Sequence, residues 1–428
     1  MNICLKRIFI VLVLCASIAP GFAQTNTDAD DFDASDDVDK AGGSSMLRHN
    51  NAENAATDGQ GTRTVLRDLD AIMEEAMRQY AVPGAAIAVA YQGRLVYAKG
   101  YGVANIGSGE PVTPSTLFNL GSCTKAVSMF GTLRLQEARR LNLDDTVYNV
   151  IGHPPLPKNR VDPRVFQITV RQLLHHSGGW NDDSGFVKAS NEINRIAPKG
   201  MPYREAVRYL FMTPLDYTPG SKAKYANGQW NLVKFVISNA AQMPYGEFLR
   251  RELATIGITD MHNESQQNLP GESARYGGKP PRMLPSGQRD VALMPTFGNW
   301  MASAVDMAKF LTALDGSRIG GITQESFEQM IAPLPLPMVN DKDGSHFGLG
   351  MDCVRQRPNG VFFTKNGAKP GVHAQIQHLA SGVDFVVLMN GGANDDGSIA
   401  DPMPLGKIAR VLKGIAEWPQ HNLFERFQ

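Results

Sequence analysis

The sequence predicts an α+β fold in which strands from both ends of the chain form one antiparallel sheet, with flanking helices and an inserted, mostly helical domain. Two β-type runs, 85–90 and 95–101, flank Gln92-Gly93, a pair typical of a hairpin turn. Between residues 123 and 310 the pattern is mostly helical, with connections that contain Pro and Gly. Four more short β-type runs then follow, at 347–354, 361–366, 374–379 and 385–389.

The order of these elements predicts the domain organisation. Residues 62–122 and 311–428 are expected to form the α/β sheet domain, and residues 123–310 the helical insert. Apolar residues at helical spacing predict a first helix over 65–77, and a final helix is predicted over 404–417. A ligand site is expected in the cleft between the two domains, where such sites are commonly found.

The N-terminal segment differs from the rest of the chain. Lys6 and Arg7 precede an apolar run that ends in small residues before Gln24, the pattern of a cleaved signal peptide over 1–23. The run is about half the length that spans a bilayer, so no stable membrane anchor is expected. Residues 24–61 are rich in Asp, Ala, Asn and Gly without apolar periodicity, which is typical of a disordered acidic leader. We therefore expect an exported protein, periplasmic or secreted.

Composition excludes several classes of function. The chain has 42 basic and 42 acidic residues, so it has no basic surplus to attract nucleic acid. It contains no H-E-x-x-H, C-x-x-C or G-x-S-x-G pattern, which disfavours zinc hydrolases and ordinary α/β-hydrolases. No metal and no other cofactor is expected. Removal of the signal leaves Cys123 and Cys353, either as buried free thiols or, since export permits it, as a disulfide.

The first candidate for chemistry is the S-x-x-K pattern at Ser122 and Lys125, which runs into a helix-forming stretch. A serine at a helix N-terminus gains from exposed N–H groups, and a lysine three residues later can reach its hydroxyl. A lysine buried near a second cation has a lowered pKa and can accept a proton. Alone, the pattern is equally compatible with a helix cap and a solvated lysine. A second match, Ser221 to Lys224, follows Pro219-Gly220 and is interpreted as a loop.

Two further patterns come later in the chain. Tyr225-Ala226-Asn227 supplies a hydroxyl that can carry protons and an amide that can hold a carbonyl. Lys365-Asn366-Gly367 follows a β-type run, where a strand can present a cation to the cleft and a glycine admits substrate to the backbone. Each pattern is weak alone. K-x-G also occurs at Lys40, Lys342 and Lys369, in contexts less suited to such a strand.

Taken in this order, the three patterns resemble those of the serine β-lactamase and penicillin-binding protein family. They resemble in particular its branch of class C β-lactamases, D-alanyl-D-alanine carboxypeptidases and family VIII esterases. The resemblance covers about 62–417 and includes further stretches at 141–145, 168–179 and 298–303. It implies a β-lactamase/transpeptidase-like fold. In that fold the His175-His176 pair is expected to have a structural role in a loop.

The resemblance also implies catalytic roles for individual residues. Ser122 matches the acylated nucleophile, Lys125 its lysine partner and Tyr225 the proton-carrying tyrosine. The backbone N–H groups of Ser122 and Ala368 match the oxyanion hole. No counterpart of a separate deacylating glutamate is evident, so Tyr225 is expected to serve deacylation as well.

Substrate-binding roles carry over in the same way. Asn227 completes the second motif, and Lys365 and Gly367 match the third. Asn366 stands where the family usually has threonine or serine, which puts recognition of a β-lactam carboxylate in doubt. Lys365 nevertheless favours a substrate that bears a carboxylate, because family esterases often have another residue there.

The predicted function is a serine hydrolase that acts through an acyl-enzyme on amide or ester carbonyls. The expected partner is a small molecule or peptide: a β-lactam, a D-alanyl peptide of the cell wall, or a related carboxylate-bearing compound. One alternative is a family VIII-type carboxylesterase that acts on small neutral esters. An alternative of another class is a non-catalytic binding or scaffold protein of the same fold.

Overall fold

The computed structural model describes residues 60–156, 161–181, 203–263, 270–284, 298–316, 320–335, 344–392, 394, 398 and 400–427. The predicted signal peptide, nearly all of the predicted leader, and the alternative K-x-G positions Lys40 and Lys342 lie outside these residues. Within them, no helix combines the length and the apolar character needed to cross a membrane.

The described helices are α1 Gln60–Tyr80, α2 Thr124–Glu137, α3 Val147–Val150, α4 Val170–Leu174, α5 Tyr203–Met212, α6 Trp230–Ala241, α7 Tyr245–Thr255, α8 Ala304–Thr312, α9 Gln324–Ile331 and α10 Leu405–Lys413. The described strands are β1 Gly84–Tyr91, β2 Arg94–Asn105, β3 Glu110–Pro111, β4 Phe118–Asn119, β5 His262–Asn263, β6 Tyr276–Gly277, β7 Arg282–Met283, β8 Trp300–Ala302, β9 Cys353–Arg357, β10 Gly360–Lys369, β11 Val372–Leu379 and β12 Val383–Met389.

Strands from both ends of the chain form the main sheet, as predicted. Its seven strands have the order β3-β2-β1-β12-β11-β10-β9, and β1 pairs antiparallel with β12 from Ala85↔Met389 to Tyr91↔Val383. The β1–β2 hairpin turns at Gln92 and Gly93, whose φ angles of 49° and 76° match a tight hairpin turn.

Both faces of the sheet are buried at its centre, which explains why β1 and β12 are apolar almost throughout. Along β1, Ala86 and Ala88 point to the cluster that includes α2 and α8, whereas Ile87 and Val89 point to the cluster that includes α1 and α10. This division follows from the two-residue period of a strand. The helices on both sides therefore hold the sheet in place.

Several predicted element boundaries differ from the structure. The run at 347–354 becomes a strand only at Cys353, because Gly350 has a φ of 66° and its N–H bonds to the Leu174 carbonyl. The last helix ends at Lys413, where Gly414 caps it. The predicted domain boundary at 310/311 falls inside α8, which packs on β1 and β12. The division into two domains stays a prediction.

One feature of the sheet positions the candidate site. β9 pairs with β10 only as far as Thr364↔Cys353, so the edge of β10 from Lys365 to Lys369 extends beyond it. A 3-10 turn, Gly121–Cys123, packs against β10 and continues directly into α2. The first and third sequence motifs are thereby brought side by side.

Candidate active site

Ser122 lies in the 3-10 turn that precedes α2, with its side chain partly exposed. The glycine before it is required by close packing, because Gly121 has a φ of 47° and a Cβ there would lie 3.0 Å from the Ala368 nitrogen. The hydroxyl is thus held at the positive end of a helix, next to the uncovered edge of β10.

Lys125 is fully buried one turn later and faces Ser122. Its Nζ donates to three acceptors: Ser122 Oγ at 3.0 Å, Tyr225 Oη at 2.7 Å and Asn227 Oδ1 at 2.8 Å. An ammonium has three N–H donors, so this set of contacts fixes the lysine head completely. The arrangement brings the first and second motifs together.

Tyr225 closes the arrangement into a triangle. Its hydroxyl donates to Ser122 Oγ at 2.8 Å while it accepts from Lys125, so each of the three side chains contacts the other two. The Lys125 ammonium also lies 4.8 Å from the centre of the Tyr225 ring. A hydroxyl, a phenol and an amine at hydrogen-bond distance form a short path along which a proton can move.

The His176 ring packs against the ring of Tyr225. The two rings stack with centroids 4.5 Å apart, and His176 Nδ1 accepts the backbone N–H of Ala226 at 3.1 Å. Burial, followed by the charges of Lys125 and Lys365, lowers the pKa of His176 far below its usual value, so the ring is neutral. Its neighbour His175 is also buried and has its pKa lowered to about 3. These placements agree with a structural role for the pair.

The third motif supplies backbone rather than side-chain contact with Ser122. A Cβ on Gly367 would clash with the Leu120 carbonyl oxygen and lie 2.8 Å from the Ser122 nitrogen, so only glycine fits. The Asn366 N–H points to the β9 side of β10, where it bonds to Asp352 Oδ2 at 3.0 Å. Since amides alternate along a strand, the Ala368 N–H points the same way, beyond the end of β9. The Ser122 and Ala368 amides thus lie at the same edge of β10, where the resemblance implies an oxyanion hole.

Lys365 differs from the expectation that it presents a cation to the cleft. Its side chain is 1% exposed, and Nζ bonds to both carboxylate oxygens of Asp352 at 2.6 and 2.7 Å. Burial lowers the pKa of this lysine, but the Asp352 carboxylate, with a smaller contribution from Tyr225, reverses the effect and raises it overall. No sequence pattern pointed to Asp352, which belongs to none of the three motifs.

Asn366 is exposed at the same edge. Two other sequence candidates lie apart from the triangle. Lys369 Nζ bonds to the Asn299 side chain and the Gly298 carbonyl. Ser221 Oγ donates to the Thr218 carbonyl in an exposed turn.

The two cysteines are buried free thiols, so the disulfide that the sequence left open is not formed. Cys123 belongs to the cluster on one face of the sheet and Cys353 to the cluster on the other. Burial raises the pKa of Cys123 to about 12, which keeps this neighbour of Ser122 protonated and unreactive. Within the described ranges, no group of three or more His, Cys, Asp or Glu side chains could hold a metal ion.

Comparison with known proteins agrees with the geometry. The Beta-lactamase family model matches residues 69–403. Protein flp of Staphylococcus aureus (strain MW2) is 27% identical over 184 residues, which is 43% of this chain and 35% of that protein. Esterase EstB of Burkholderia gladioli is 30% identical over 163 residues, 37% of this chain and 41% of the esterase. The matched region thus spans about a third of the first relative's length and two fifths of the second's.

Solved structures share the fold. EstCE1, a hydrolase with promiscuous acyltransferase activity, superposes with a TM-score of 0.68 at 17% identity, covering 83% of this chain and all of the other. D-amino acid amidase from Ochrobactrum anthropi SV3 superposes with a TM-score of 0.65 at 20% identity, covering 82% and 99%. The β-lactamase/transpeptidase-like fold is confirmed, and the family match supports an activity of the serine-hydrolase type.

Proposed function

Because this chain belongs to the beta-lactamase family, we propose that it is a serine hydrolase that cleaves ester or amide carbonyls through an acyl-enzyme on Ser122. The single observation that carries the proposal is the closed triangle of Ser122, Lys125 and Tyr225, with contacts of 2.7 to 3.0 Å. A non-catalytic scaffold of the same fold has no need of a buried lysine held against a partly exposed serine.

Acylation begins with attack of Ser122 Oγ on the substrate carbonyl. In its neutral form Lys125 takes the serine proton, and Tyr225, 2.7 Å from Lys125, delivers a proton to the leaving group as the carbonyl–heteroatom bond breaks. The N–H groups of Ser122 and Ala368 stabilise the oxyanion, an effect typically worth about 10²–10³-fold in kcat for each donor.

Deacylation reverses these proton movements. A water takes the place that the leaving group has vacated and gives a proton to Tyr225 as its oxygen bonds to the acyl carbon. The Ser122 ester bond then breaks, and Oγ recovers a proton from Lys125. Tyr225 serves both half-reactions, because its hydroxyl contacts both Ser122 and Lys125. The proposed partner is a small molecule or peptide.

Burst kinetics test this proposal. Mixed rapidly with p-nitrophenyl butyrate, the protein is expected to release a burst of nitrophenol that approaches one equivalent per enzyme, followed by steady turnover. A correctly folded protein with neither burst nor turnover on this ester, on an amide and on a β-lactam would refute the hydrolase function and favour the scaffold alternative.

A further inference from the structure

The ammonium of Lys365 has no donor left for a substrate. Its three N–H groups face three acceptors: the two carboxylate oxygens of Asp352 at 2.6 and 2.7 Å, and the Asn366 carbonyl at 3.1 Å. The lysine side chain is 1% exposed. A substrate carboxylate could bind this cation only by displacing Asp352.

Asp352 is fixed where a substrate anion would be expected. Its backbone N–H bonds to the Thr364 carbonyl at 3.0 Å, and its carboxylate accepts the Asn366 N–H at 3.0 Å, just beyond the last β9–β10 pair. Its side chain is 21% exposed, so the anion borders solvent beside the segment that continues to Gly367 and Ala368. An incoming carboxylate would meet a like charge here at short range.

We propose that Asp352 is a specificity-determining residue that holds Lys365 as an internal counter-ion and directs the site to substrates with no carboxylate near the reacting carbonyl. Neutral esters and amides are then the substrate class, rather than β-lactams or D-alanyl peptides. This inference rests on the proposed hydrolase function. It replaces the preference for acidic substrates that the Lys365 motif predicts from sequence.

A second buried pair provides a matched control. Lys99 Nζ contacts Asp70 Oδ2 at 2.7 Å, and the Lys99 side chain is 5% exposed. Asp70 lies on α1 and accepts hydrogen bonds from Tyr97 and Tyr101, whose rings belong to the cluster on the other face of the sheet from Ser122. Loss of the Asp70 carboxylate perturbs a comparable pair away from the site.

The experiment compares three phenyl esters that differ only in a carboxylate. Phenyl butyrate is neutral, 3-carboxyphenyl butyrate has the charge on the leaving group, and phenyl hydrogen succinate has it on the acyl group. The ratio of kcat/KM for each charged ester to that for phenyl butyrate is measured in the wild type and in Asp352→Ala, Asp352→Asn and Asp70→Asn, with thermal melting as a check of folding.

The wild type should prefer phenyl butyrate. Asp352→Ala opens space beside Lys365 and removes the carboxylate that pairs with it. The ratio of kcat/KM for at least one charged ester should then rise by about ten-fold or more, which corresponds to one charge-assisted hydrogen bond. Asp352→Asn keeps the volume and should give a smaller rise, and Asp70→Asn should leave both ratios unchanged. The rise should disappear in Asp352→Ala/Lys365→Met.

Two results would overturn the inference while leaving the hydrolase function intact: a wild type that prefers a charged ester, or unchanged ratios in both folded Asp352 variants that still cleave phenyl butyrate. Absence of turnover of all three esters by the folded wild type would instead refute the hydrolase function itself.

Discussion

The chain contains two S-x-x-K segments, at Ser122 and at Ser221, and the structure places them in opposite environments. Lys125 is fully buried and bonds to Ser122, whereas Lys224 is exposed and Ser221 Oγ bonds to a backbone carbonyl of its own turn. The two segments match the pattern equally, so the pattern alone does not distinguish them.

Local backbone accounts for the difference. The first segment is a 3-10 turn that continues into α2, so serine and lysine share one face. The second follows Gly220, whose φ of 76° ends any helical course, and it leads as a loop to Tyr225. Helical geometry and burial, rather than the residue pattern itself, thus bring Ser122 and Lys125 into hydrogen-bond contact. The second segment leads the chain to the tyrosine and helps to hold it, since Ala223 packs in a cluster with Tyr225 and the Lys224 N–H bonds to the His176 carbonyl.

Replacement of the two serines should give the largest contrast. Ser122→Ala removes the nucleophile and should lower kcat by about 10⁶-fold, the size of this loss in another serine hydrolase. Ser221→Ala removes only an exposed hydroxyl and should leave turnover of p-nitrophenyl butyrate unchanged. Comparable losses in both variants would show that the comparison is wrong.

Replacement of Lys125 and Lys224, the lysines of the two segments, should give the next largest contrast. Lys125→Met keeps the length of the side chain but removes its proton transfer, so turnover should fall by about 10³–10⁴-fold. Lys224→Met exchanges an exposed side chain and should change the free energy of unfolding by no more than about 0.5 kcal/mol. Steady-state kinetics and urea unfolding of both variants test this pair, and a Lys125→Met enzyme with most of its turnover would contradict it.

Removal of single hydroxyls sharpens the contrast. Tyr225→Phe should lower turnover by about 10²–10³-fold with little loss of stability. Tyr245 is the control, because its buried hydroxyl bonds at 2.8 Å to Ser128, which lies farther along α2. Tyr245→Phe should lose about 0.5–1.5 kcal/mol of stability and retain its turnover. The reverse result, in which only Tyr245→Phe loses activity, would reduce Tyr225 to a packing residue.

The smallest effect is a pH dependence of stability from the histidine behind Tyr225. The folded protein holds the pKa of His176 far below its usual value, so its contribution to stability is present above about pH 6.5, the pKa of an unfolded histidine, and is lost as pH falls. The slope approaches about 1.4 kcal/mol per pH unit. His176→Phe keeps a stacking ring, and its stability should fall less steeply between pH 6.5 and 5.

His262 supplies the opposite sign for comparison. The Glu272 hydrogen bond raises its pKa, so its contribution is present at low pH and is lost as pH rises through the folded value. His262→Gln should therefore lose most stability at the acidic end, as measured by urea unfolding across the same range. An unchanged slope in both variants would show that other groups set the pH dependence.

Sequence reasoning predicted the sheet well because its strands carry strong local signals. The Gln92-Gly93 turn and the apolar strands set the pairing of β1, β2 and β12. It also predicted that the three motifs form one site, because their order and contexts agreed with one family. The prediction of a strand over 347–354 was wrong before Cys353. Gly350 there has a left-handed conformation and bonds to Leu174, a residue that is distant in sequence.

The ion pair between Lys365 of the third motif and Asp352 could not be predicted for the same reason. Lys365 has the expected position, but its partner Asp352 lies in the irregular segment just before β9. The two residues meet because the first residue of β9, Cys353, pairs with Thr364 of β10. Likewise, the stacking of His176 on Tyr225 joins residues of two loops that share no periodic pattern. Pairings between irregular segments are set by tertiary structure and leave little trace in the sequence.

Trapping of the covalent intermediate tests the central claim most directly. The wild-type protein is quenched with acid during the burst on p-nitrophenyl butyrate, digested and mapped by mass spectrometry. A butyryl group should be found on the peptide that contains Ser122, should be absent in Ser122→Ala, and should be undiminished in Ser221→Ala. An acyl group on another residue, or equal labelling of Ser122→Ala, would contradict the assignment of Ser122 as the nucleophile.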